Sequence, residues 1–222
     1  MDDRTPKTSL TEQITESLRD AIVMANYAPL AKLKISELAK RFEASSGIVR
    51  EALSRLSAEG LVIALPQKGF IVAPISRSDL EELTEVRVSI ERHCLSASIE
   101  KGDLSWEADL IAAHHRLRGI TDQVLKDHTP ESVREWTRAH TGFHDALTNA
   151  CGNRWWLQIR RQLFLQSERY RQLSGLATEA GRDVAAEHEE IAEATLNRNS
   201  ERACTLIEEH MRRTTTLLLD AI

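Results

Sequence analysis

Long apolar runs are missing from this chain of 222 residues, in which no stretch approaches the roughly 18 consecutive apolar residues that a membrane-spanning helix needs. The N-terminal sequence MDDRTPKTSL also lacks the basic and then apolar pattern of a secretory signal. Cysteine is scarce and odd in number, and Cys94, Cys151 and Cys204 are too far apart in sequence to suggest a disulfide framework. We therefore expect no membrane segment and a reducing, cytoplasmic environment.

Motifs for phosphate binding and covalent catalysis are missing as well. The sequence contains no nucleophile motif, glycine-rich phosphate loop or dinucleotide fingerprint. An overall excess of positive charge is also absent, since the net charge is −5. Any binding of nucleic acid would therefore use a local patch. The first 76 residues carry a net charge of +1 and the rest carry −6, which marks a place to look for a domain boundary.

The N-terminal region has the order of elements of a winged helix-turn-helix. A first amphipathic helix shows one apolar stripe, formed by Leu10, Ile14, Leu18 and Ile22. The short helix ISELAKRF follows, and a third helix begins at a Ser45 or Ser46 cap and ends at Gly60. Two apolar runs around PQKG predict a hairpin. The alternative is a small helical domain with a hairpin and no role in DNA binding.

The segment VREALSRLSAEGLV followed by QKGFIVAP resembles the DNA-binding domain of GntR-family bacterial transcription regulators, over about residues 10–75. The resemblance implies double-stranded operator DNA as the partner, with a homodimer reading two-fold-related half-sites. Arg50 would reach a phosphate or a guanine edge from the third helix, and Lys68 with Gly69 would form the hairpin tip. The complete set of candidate DNA-binding residues is Ser36, Ser45, Ser46, Gly47, Arg50, Lys68 and Gly69.

Two of these positions depart from the family. Relatives commonly carry SRTPVREAL where this chain has SSGIVREAL, so Ser46 stands where arginine is usual. Ser36 likewise replaces a common arginine of the second helix. Because two cations are missing, we expect a different operator sequence or weaker binding per site, with Arg50 carrying more of the affinity.

The rest of the chain shows only helical patterns. Pro74 ends the hairpin, and Ser78 with Glu81 fits a capping box at the start of a new helix. Six or so helices with short connections predict an antiparallel bundle, with Gly152 and Gly175 near helix ends. The predicted fold is thus mostly α, in three parts: a winged helix-turn-helix (residues 1–73), a linker (74–78) and an all-α antiparallel bundle (79–222).

A pair of histidines at one-turn spacing offers half of a metal site inside this bundle, and two further helices each offer an imidazole. His140 and His144 are four residues apart in RAHTGFHDAL, so both lie on one helical face, and His188 and His210 come from two further helices. Imidazole nitrogens suit zinc and similar divalent ions. The alternative is a surface or core role without a ligand, which is our interpretation of the other four histidines, His93, His114, His115 and His128.

The segments WTRAHTGFHDALTNACGN, EHEEI and EEHM resemble the FCD domain, the helical effector domain of the FadR subfamily of GntR regulators. The segments RAHTGFH (residues 138–144) and WEAD (residues 106–109) are similar to those of a branch typified by the carbon-starvation regulator CsiR. The resemblance implies a divalent metal, zinc first with nickel and manganese as alternatives, on His140, His144, His188 and His210. It also implies a small carboxylate effector, a dicarboxylate or hydroxy-acid of the glutarate type.

A histidine at position 140 departs from the family, in which an Asp or Asn is usual there. Four neutral imidazoles leave the charge of a divalent ion uncompensated, so an anionic effector would gain more by coordinating it. An open site and a closed, tetrahedral structural site both stay compatible with the sequence. Arg87 matches an arginine that relatives aim into the effector pocket, and Arg169 and Arg171 are candidates for clamping a second carboxylate. A charged helix surface is the alternative for these arginines.

Three function classes compete at this point. A helical-bundle metalloenzyme acting on a small carboxylic acid would need a positioned acid or base, and Glu187, Glu189 and Asp145 lie near the ligands in sequence. An architectural DNA binder without an effector would leave the histidines without a role. We predict that the chain is a ligand-responsive DNA-binding transcription regulator, a repressor switched by a small carboxylate, and that it is not an enzyme.

Overall fold

The computed structural model describes residues 9–124, 126–127, 129–174 and 182–222, so the predictions for His128 and Gly175 fall outside the described residues. The chain forms two compact units. The first holds the described residues up to Leu80, together with residues 164–174 and Ile222. The second holds the described residues of 81–163 and 182–221. None of the helices in the described ranges combines the length and apolar character that a membrane crossing requires.

The first unit contains three helices and a small sheet, as the sequence predicts. The elements in chain order are α1 (Leu10–Val23), β1 (Lys32–Leu33), α2 (Ile35–Arg41), α3 (Ser46–Ala58), β2 (Val62–Leu65) and β3 (Gly69–Val72). Helix α3 begins after Ser45, whose side chain accepts a hydrogen bond from the Ile48 amide. Strands β2 and β3 form the predicted hairpin, in which Leu65 lies opposite Gly69.

Strand β1 completes the sheet and is too short to be read from the sequence. It pairs antiparallel with β3, which gives the strand order β1-β3-β2. The apolar residues of α1 and α3 pack against the sheet around the fully buried side chains of Leu18, Leu53 and Leu56. This core fixes α3 on the hairpin, which is the arrangement of a winged helix-turn-helix.

Six more helices follow in the described part of the chain. They are α4 (Arg77–Lys101), α5 (Leu104–Val124), α6 (Pro130–Thr148), α7 (Arg154–Ser174), α8 (Val184–Leu196) and α9 (Ser200–Ala221), with a 3₁₀ turn at Asn149–Cys151. In the second unit α5 packs on α6 and α8, and α8 packs on α9. The mostly helical fold is therefore confirmed. This packing brings α6, α8 and α9, the three histidine-bearing helices, into one core.

The start of α4 differs from the sequence prediction. The helix begins at Arg77, inside the predicted linker, and its cap is Ser76, whose hydroxyl oxygen accepts from the Asp79 amide. The predicted capping box of Ser78 and Glu81 is therefore wrong by two residues. Ser76 and Ser78 both satisfy the sequence pattern of a cap, and a further contact at Ser76 distinguishes them, because its backbone amide donates to the Tyr170 hydroxyl.

The second half of α7 belongs to the first unit, although the predicted boundary placed all residues after 78 in one bundle. Leu165 packs against the core of that unit. The Gln166 side-chain amide donates to the Glu59 carbonyl at 2.8 Å, and Arg169 donates to the Ala73 carbonyl at 2.7 Å. These bonds satisfy carbonyl groups at the end of α3 and at the end of the hairpin.

Candidate functional site

Four histidines converge in the core of the second unit. His140 and His144 come from α6, His188 from α8 and His210 from α9, and all four are buried. One ring nitrogen or the other of each residue lies within 4.8 Å of the corresponding atoms of the other three. The Nε2 atoms of His140 and His144 are 3.1 Å apart. The structure therefore brings together the residues that the sequence analysis grouped as metal ligands.

Helix α6 holds its two histidines in a rigid apolar setting. The buried residues of its inner face recur every three or four positions, so His140 and His144 share that face with Trp136 and Phe143. The Trp136 ring stacks on the His140 ring with 4.7 Å between centroids and an interplanar angle of 15°. Trp136 is itself anchored, because its indole N–H donates to the Thr121 hydroxyl at 2.9 Å. The orientation of His140 is thus set by packing.

Burial controls the protonation state of the cluster. It lowers the pKa of His144 and of His188 well below the ordinary value, and the neighbouring His210 lowers both further. Burial also lowers the pKa of His210, and a hydrogen bond with Glu187 partly offsets that effect. The imidazoles of His144, His188 and His210 are therefore neutral near pH 7, which is the form that binds metal ions.

A carboxylate lies behind His210. Its Nδ1 atom is 2.9 Å from Oε2 of Glu187, and Arg182 makes two bonds to the same carboxylate. Burial alone would raise the pKa of Glu187, but the hydrogen bonds from Arg182 and His210 outweigh it and hold that pKa well below its usual range. The sequence analysis considered Glu187 only as a candidate acid or base of an enzyme, because its contact with His210 arises from the packing of α8 on α9.

A buried ion-pair network supports α6 from the other side. Arg160 of α7 donates to Glu91 at 2.7 Å, to Asp145 at 2.6 Å and to the His144 carbonyl at 2.6 Å. Arg87 lies 3.7 Å from the second oxygen of Glu91, and its positive charge contributes to the lowered pKa of His144. Arg160 and Glu91 were not predicted from the sequence as site residues. In the sequence, each of them appears only as a charged residue on a helix face whose other residues predict burial.

The other two predicted effector residues belong to the first unit. Arg169 donates to the Ala73 carbonyl and to the Gln166 side chain. Arg171 pairs with Glu168 one turn before it, at 2.6 Å. Both guanidinium groups therefore contact protein acceptors, in a different unit from the four histidines.

The candidate DNA-binding residues lie on two helices and on the hairpin of the first unit. Ser36 is on α2, Ser45 caps α3, and Ser46, Gly47 and Arg50 form the exposed first turns of α3. Lys68 is exposed in the hairpin turn, and Gly69 has a positive φ of 91°. The Arg50 side chain makes no hydrogen bond or ion pair with another described residue, whereas Arg55 of the same helix pairs with Glu51 at 2.6 Å. The Arg50 guanidinium is therefore available for an external partner.

A winged helix-turn-helix joined to a helical unit with an internal histidine cluster defines the class of DNA-binding regulators with a sensor domain. Comparison with known proteins makes the assignment specific. Residues 10–72 match the family "Bacterial regulatory proteins, gntR family", and residues 82–213 match the "FCD domain". The chain belongs to the GntR family of bacterial transcription regulators and carries an FCD effector domain.

Individual relatives agree with this assignment. The chain is 36% identical to the uncharacterized HTH-type transcriptional regulator BphR of Paraburkholderia xenovorans, over 91% of this chain and 82% of BphR. It is 34% identical to the HTH-type transcriptional repressor GlaR of Escherichia coli K12, over 87% and 89% of the two chains. These relatives are transcription regulators, so the prediction of a regulator that is not an enzyme is confirmed.

Solved structures share the fold. Escherichia coli McbR/YncC superimposes with a TM-score of 0.81 at 19% identity, covering 96% of this chain and 98% of that one. A GntR regulator from Rhodococcus sp. RHA1 gives a TM-score of 0.77 at 22% identity with the same coverage. At these identities the likeness establishes the arrangement of elements and nothing about ligands.

Proposed function

We propose that this regulator is a homodimeric repressor whose operator affinity is switched by a small carboxylate bound at a divalent metal on His140, His144, His188 and His210. The observation that carries the proposal is the convergence of four buried imidazoles from three helices. We further place the chain in the FadR subfamily and in the branch typified by CsiR, on the motifs quoted above. As a DNA-binding protein it would act in the cytoplasm.

The four histidines fit a metal ion. Two nitrogens that are each about 2.1 Å from one ion lie about 3.0–3.4 Å apart, and the His140 and His144 Nε2 atoms are 3.1 Å apart. The Nε2 atom of His188 is buried and has no hydrogen-bond partner among the described residues. Burying a polar atom without a hydrogen-bond partner costs free energy, and a bound metal ion would supply the missing partner. We propose zinc first, with nickel and manganese as alternatives.

The charges around the cluster favour an anionic effector. The imidazoles of His144, His188 and His210 are neutral, Glu187 is paired with Arg182, and Glu91 is paired with Arg160. A bound divalent ion would therefore supply positive charge that the protein does not cancel, and a carboxylate can coordinate it. We propose a dicarboxylate or hydroxy-acid of the glutarate type.

Arg87 is the proposed effector-binding cation. It lies in the same unit as the histidines, and its charge acts on His144 and His210. We assign the effector to Arg87 before Arg169 and Arg171, because Arg87 shares the unit of the four histidines, whereas Arg169 and Arg171 belong to the first unit.

DNA binding is assigned to the first turns of α3 and to the hairpin. Arg50 would contact a base edge or phosphate in the major groove, and Lys68 would contact the backbone from the hairpin turn. A homodimer would present two such modules to a palindromic operator. Exposed apolar side chains of the second unit, Val86 on α4 and Trp155 and Ile159 on α7, support association with a second copy. The name of the relative GlaR supports repression as the sign of regulation.

Coupling between the sites is assigned to α7 and the linker. The first half of this helix carries Arg160, which is bonded to the His144 carbonyl. Its second half carries Arg169, bonded to Ala73, and Tyr170, bonded to Ser76 and Asp79. A shift of α6 on effector binding would pass along one helix to the linker that precedes α4. Coupling of this kind is typically about 1–3 kcal/mol, or about 5- to 150-fold in affinity.

Two substitutions separate the functions. Arg50→Ala should weaken binding to an operator selected from random DNA and leave the bound metal, measured by mass spectrometry, unchanged. His144→Ala should abolish stoichiometric metal and leave the DNA affinity of the effector-free protein within about threefold, a change of under 1 kcal/mol. The matched controls are Arg55→Ala on α3 and His115→Ala on the exposed face of α5. Intact metal content in His144→Ala would refute the site assignment.

A further inference from the structure

The side chain that holds His210 in place has no role in the function proposed so far. Glu187 precedes His188 in α8, so one turn of that helix supplies a histidine of the cluster and a carboxylate that contacts a second one. We propose that Glu187, with Arg182, is the positioning residue of the metal site: it fixes the tautomer and orientation of His210. The inference rests on the proposed function, since it takes the four histidines to be metal ligands.

The hydrogen bonds determine where the His210 proton lies. Arg182 donates to both oxygens of Glu187, at 2.8 Å and 2.5 Å, and Arg213 lies 3.1 Å from the first of them. Between these cations Glu187 is ionised, and an ionised carboxylate only accepts hydrogen bonds. The Nδ1 atom of His210 lies 2.9 Å from this carboxylate and 3.2 Å from Nη2 of Arg182. The two hydrogens of that Nη2 atom are taken by its shorter contacts with Glu187 and with the His210 carbonyl, so Nδ1 carries the proton and donates it to Glu187. The lone pair of His210 is consequently on Nε2.

Arg182 fixes the same ring through the backbone. Its terminal nitrogens donate to the His210 carbonyl at 3.0 Å and to the Thr214 hydroxyl at 2.9 Å. Arg182, two residues before the start of α8, thus holds one turn of α9 at the level of His210. Neither Arg182 nor Glu187 is exposed by more than 14% of its side chain, so this clamp is largely shielded from solvent. Such carboxylate–histidine contacts orient metal ligands and raise their basicity.

Neutralising the carboxylate should weaken metal binding for two reasons. A glutamine amide can either accept from or donate to Nδ1, so the His210 proton is no longer confined to Nδ1. The charge of Arg182 also becomes uncompensated close to the cluster and opposes a divalent cation. Loss of a partner of this kind typically costs about 10- to 100-fold in metal affinity.

The test compares Glu187→Gln with Glu189→Gln, the latter on the same helix but 53% exposed and paired with Arg118 and His114 at 3.7 Å. Affinity for Zn²⁺ is measured by competition with a chromophoric chelator. We expect Glu187→Gln to bind Zn²⁺ about 10- to 100-fold more weakly, Glu189→Gln to match the wild type, and Glu187→Asp to recover part of the loss. Equal affinity in Glu187→Gln and wild type would overturn the inference.

A tautomer measurement on the wild-type, metal-free protein gives a second readout that needs no variant. Long-range ¹H–¹⁵N correlation spectra distinguish the two nitrogens of each imidazole, and His210 should show a protonated Nδ1 and an unprotonated Nε2. A protonated Nε2 would overturn the inference even if Glu187→Gln failed to fold. Failure of the wild type to bind Zn²⁺ while His210 shows the expected tautomer would refute the metal site alone and leave the assigned hydrogen bond standing.

Discussion

Replacement of Arg160 by leucine should destabilise the second unit strongly, because it leaves the buried carboxylate of Glu91 without its main ion-pair partner. Only 3% of the Arg160 side chain and 2% of the Glu91 side chain are exposed. The substitution removes three hydrogen bonds, to Glu91, Asp145 and the His144 carbonyl, and leaves Glu91 without its closest cation. Breaking a buried pair by removing one partner costs about 3–5 kcal/mol. Arg87, 3.7 Å from the other oxygen of Glu91, compensates in part, so we expect the lower end of that range.

The assay is thermal unfolding of the metal-free protein followed by circular dichroism. A loss of about 3 kcal/mol corresponds to a fall of about 6–12 °C in the melting midpoint for a chain of this size. The double variant Arg160→Leu with Glu91→Leu removes both charges and should recover most of the loss, because the desolvation penalty disappears with them. Arg161→Leu, one residue further along α7 and exposed, should change stability by less than about 0.5 kcal/mol. A double variant no more stable than the single one would refute this reasoning.

Three further predictions test the packing and the thiol chemistry. Gly102→Ala should lower the free energy of unfolding by about 1–3 kcal/mol, because the new Cβ would overlap the Trp106 ring. A hydrogen bond from the Trp106 indole to the Ala146 carbonyl holds that ring in place. Gly119→Ala, which has open space around the new Cβ, should be neutral or stabilising in the same melting assay. Leu53→Ala should cost about 2–5 kcal/mol in the first unit, since the side chain is fully buried in its core, and an unchanged melting midpoint would contradict that packing. Burial raises the pKa of the Cys94 thiol to about 12, so maleimide should label Cys94 at pH 8 far more slowly in the folded protein than in urea. The free energy of unfolding should also fall as the pH rises above the unfolded thiol pKa of about 8.5. Labelling at the same rate with and without urea would exclude a buried thiol.

Local sequence signals predicted much of the fold and of the candidate site. The three N-terminal helices and the hairpin follow from apolar periodicity, a serine cap and turn residues, all of which act within a few positions of the chain. The convergence of the histidines was predicted because an i, i+4 pair on α6 has a defined face, and because family resemblance supplied His188 and His210. Family resemblance also supplied Arg87.

Long-range contacts account for what the sequence analysis missed. Strand β1 is two residues long and exists because β3 offers it a free edge. The second half of α7 joins the first unit through side-chain bonds to residues about 100 positions earlier, such as that between Gln166 and Glu59. The Arg160–Glu91 pair spans 69 positions. No periodicity or local motif encodes such contacts, and the same holds for the carboxylate of Glu187 behind His210.

Operator binding by the zinc-loaded protein, with and without a small dicarboxylate, tests the central claim most directly. Fluorescence anisotropy with a labelled operator selected from random DNA would be recorded across a panel of C4–C6 dicarboxylates and hydroxy-acids, before and after chelation of the metal. Our account predicts that one of these acids weakens operator binding by about 5- to 150-fold, and that chelation and His144→Ala both abolish the effect. An acid response that persists undiminished after chelation would contradict the account, as would the absence of any response to the panel.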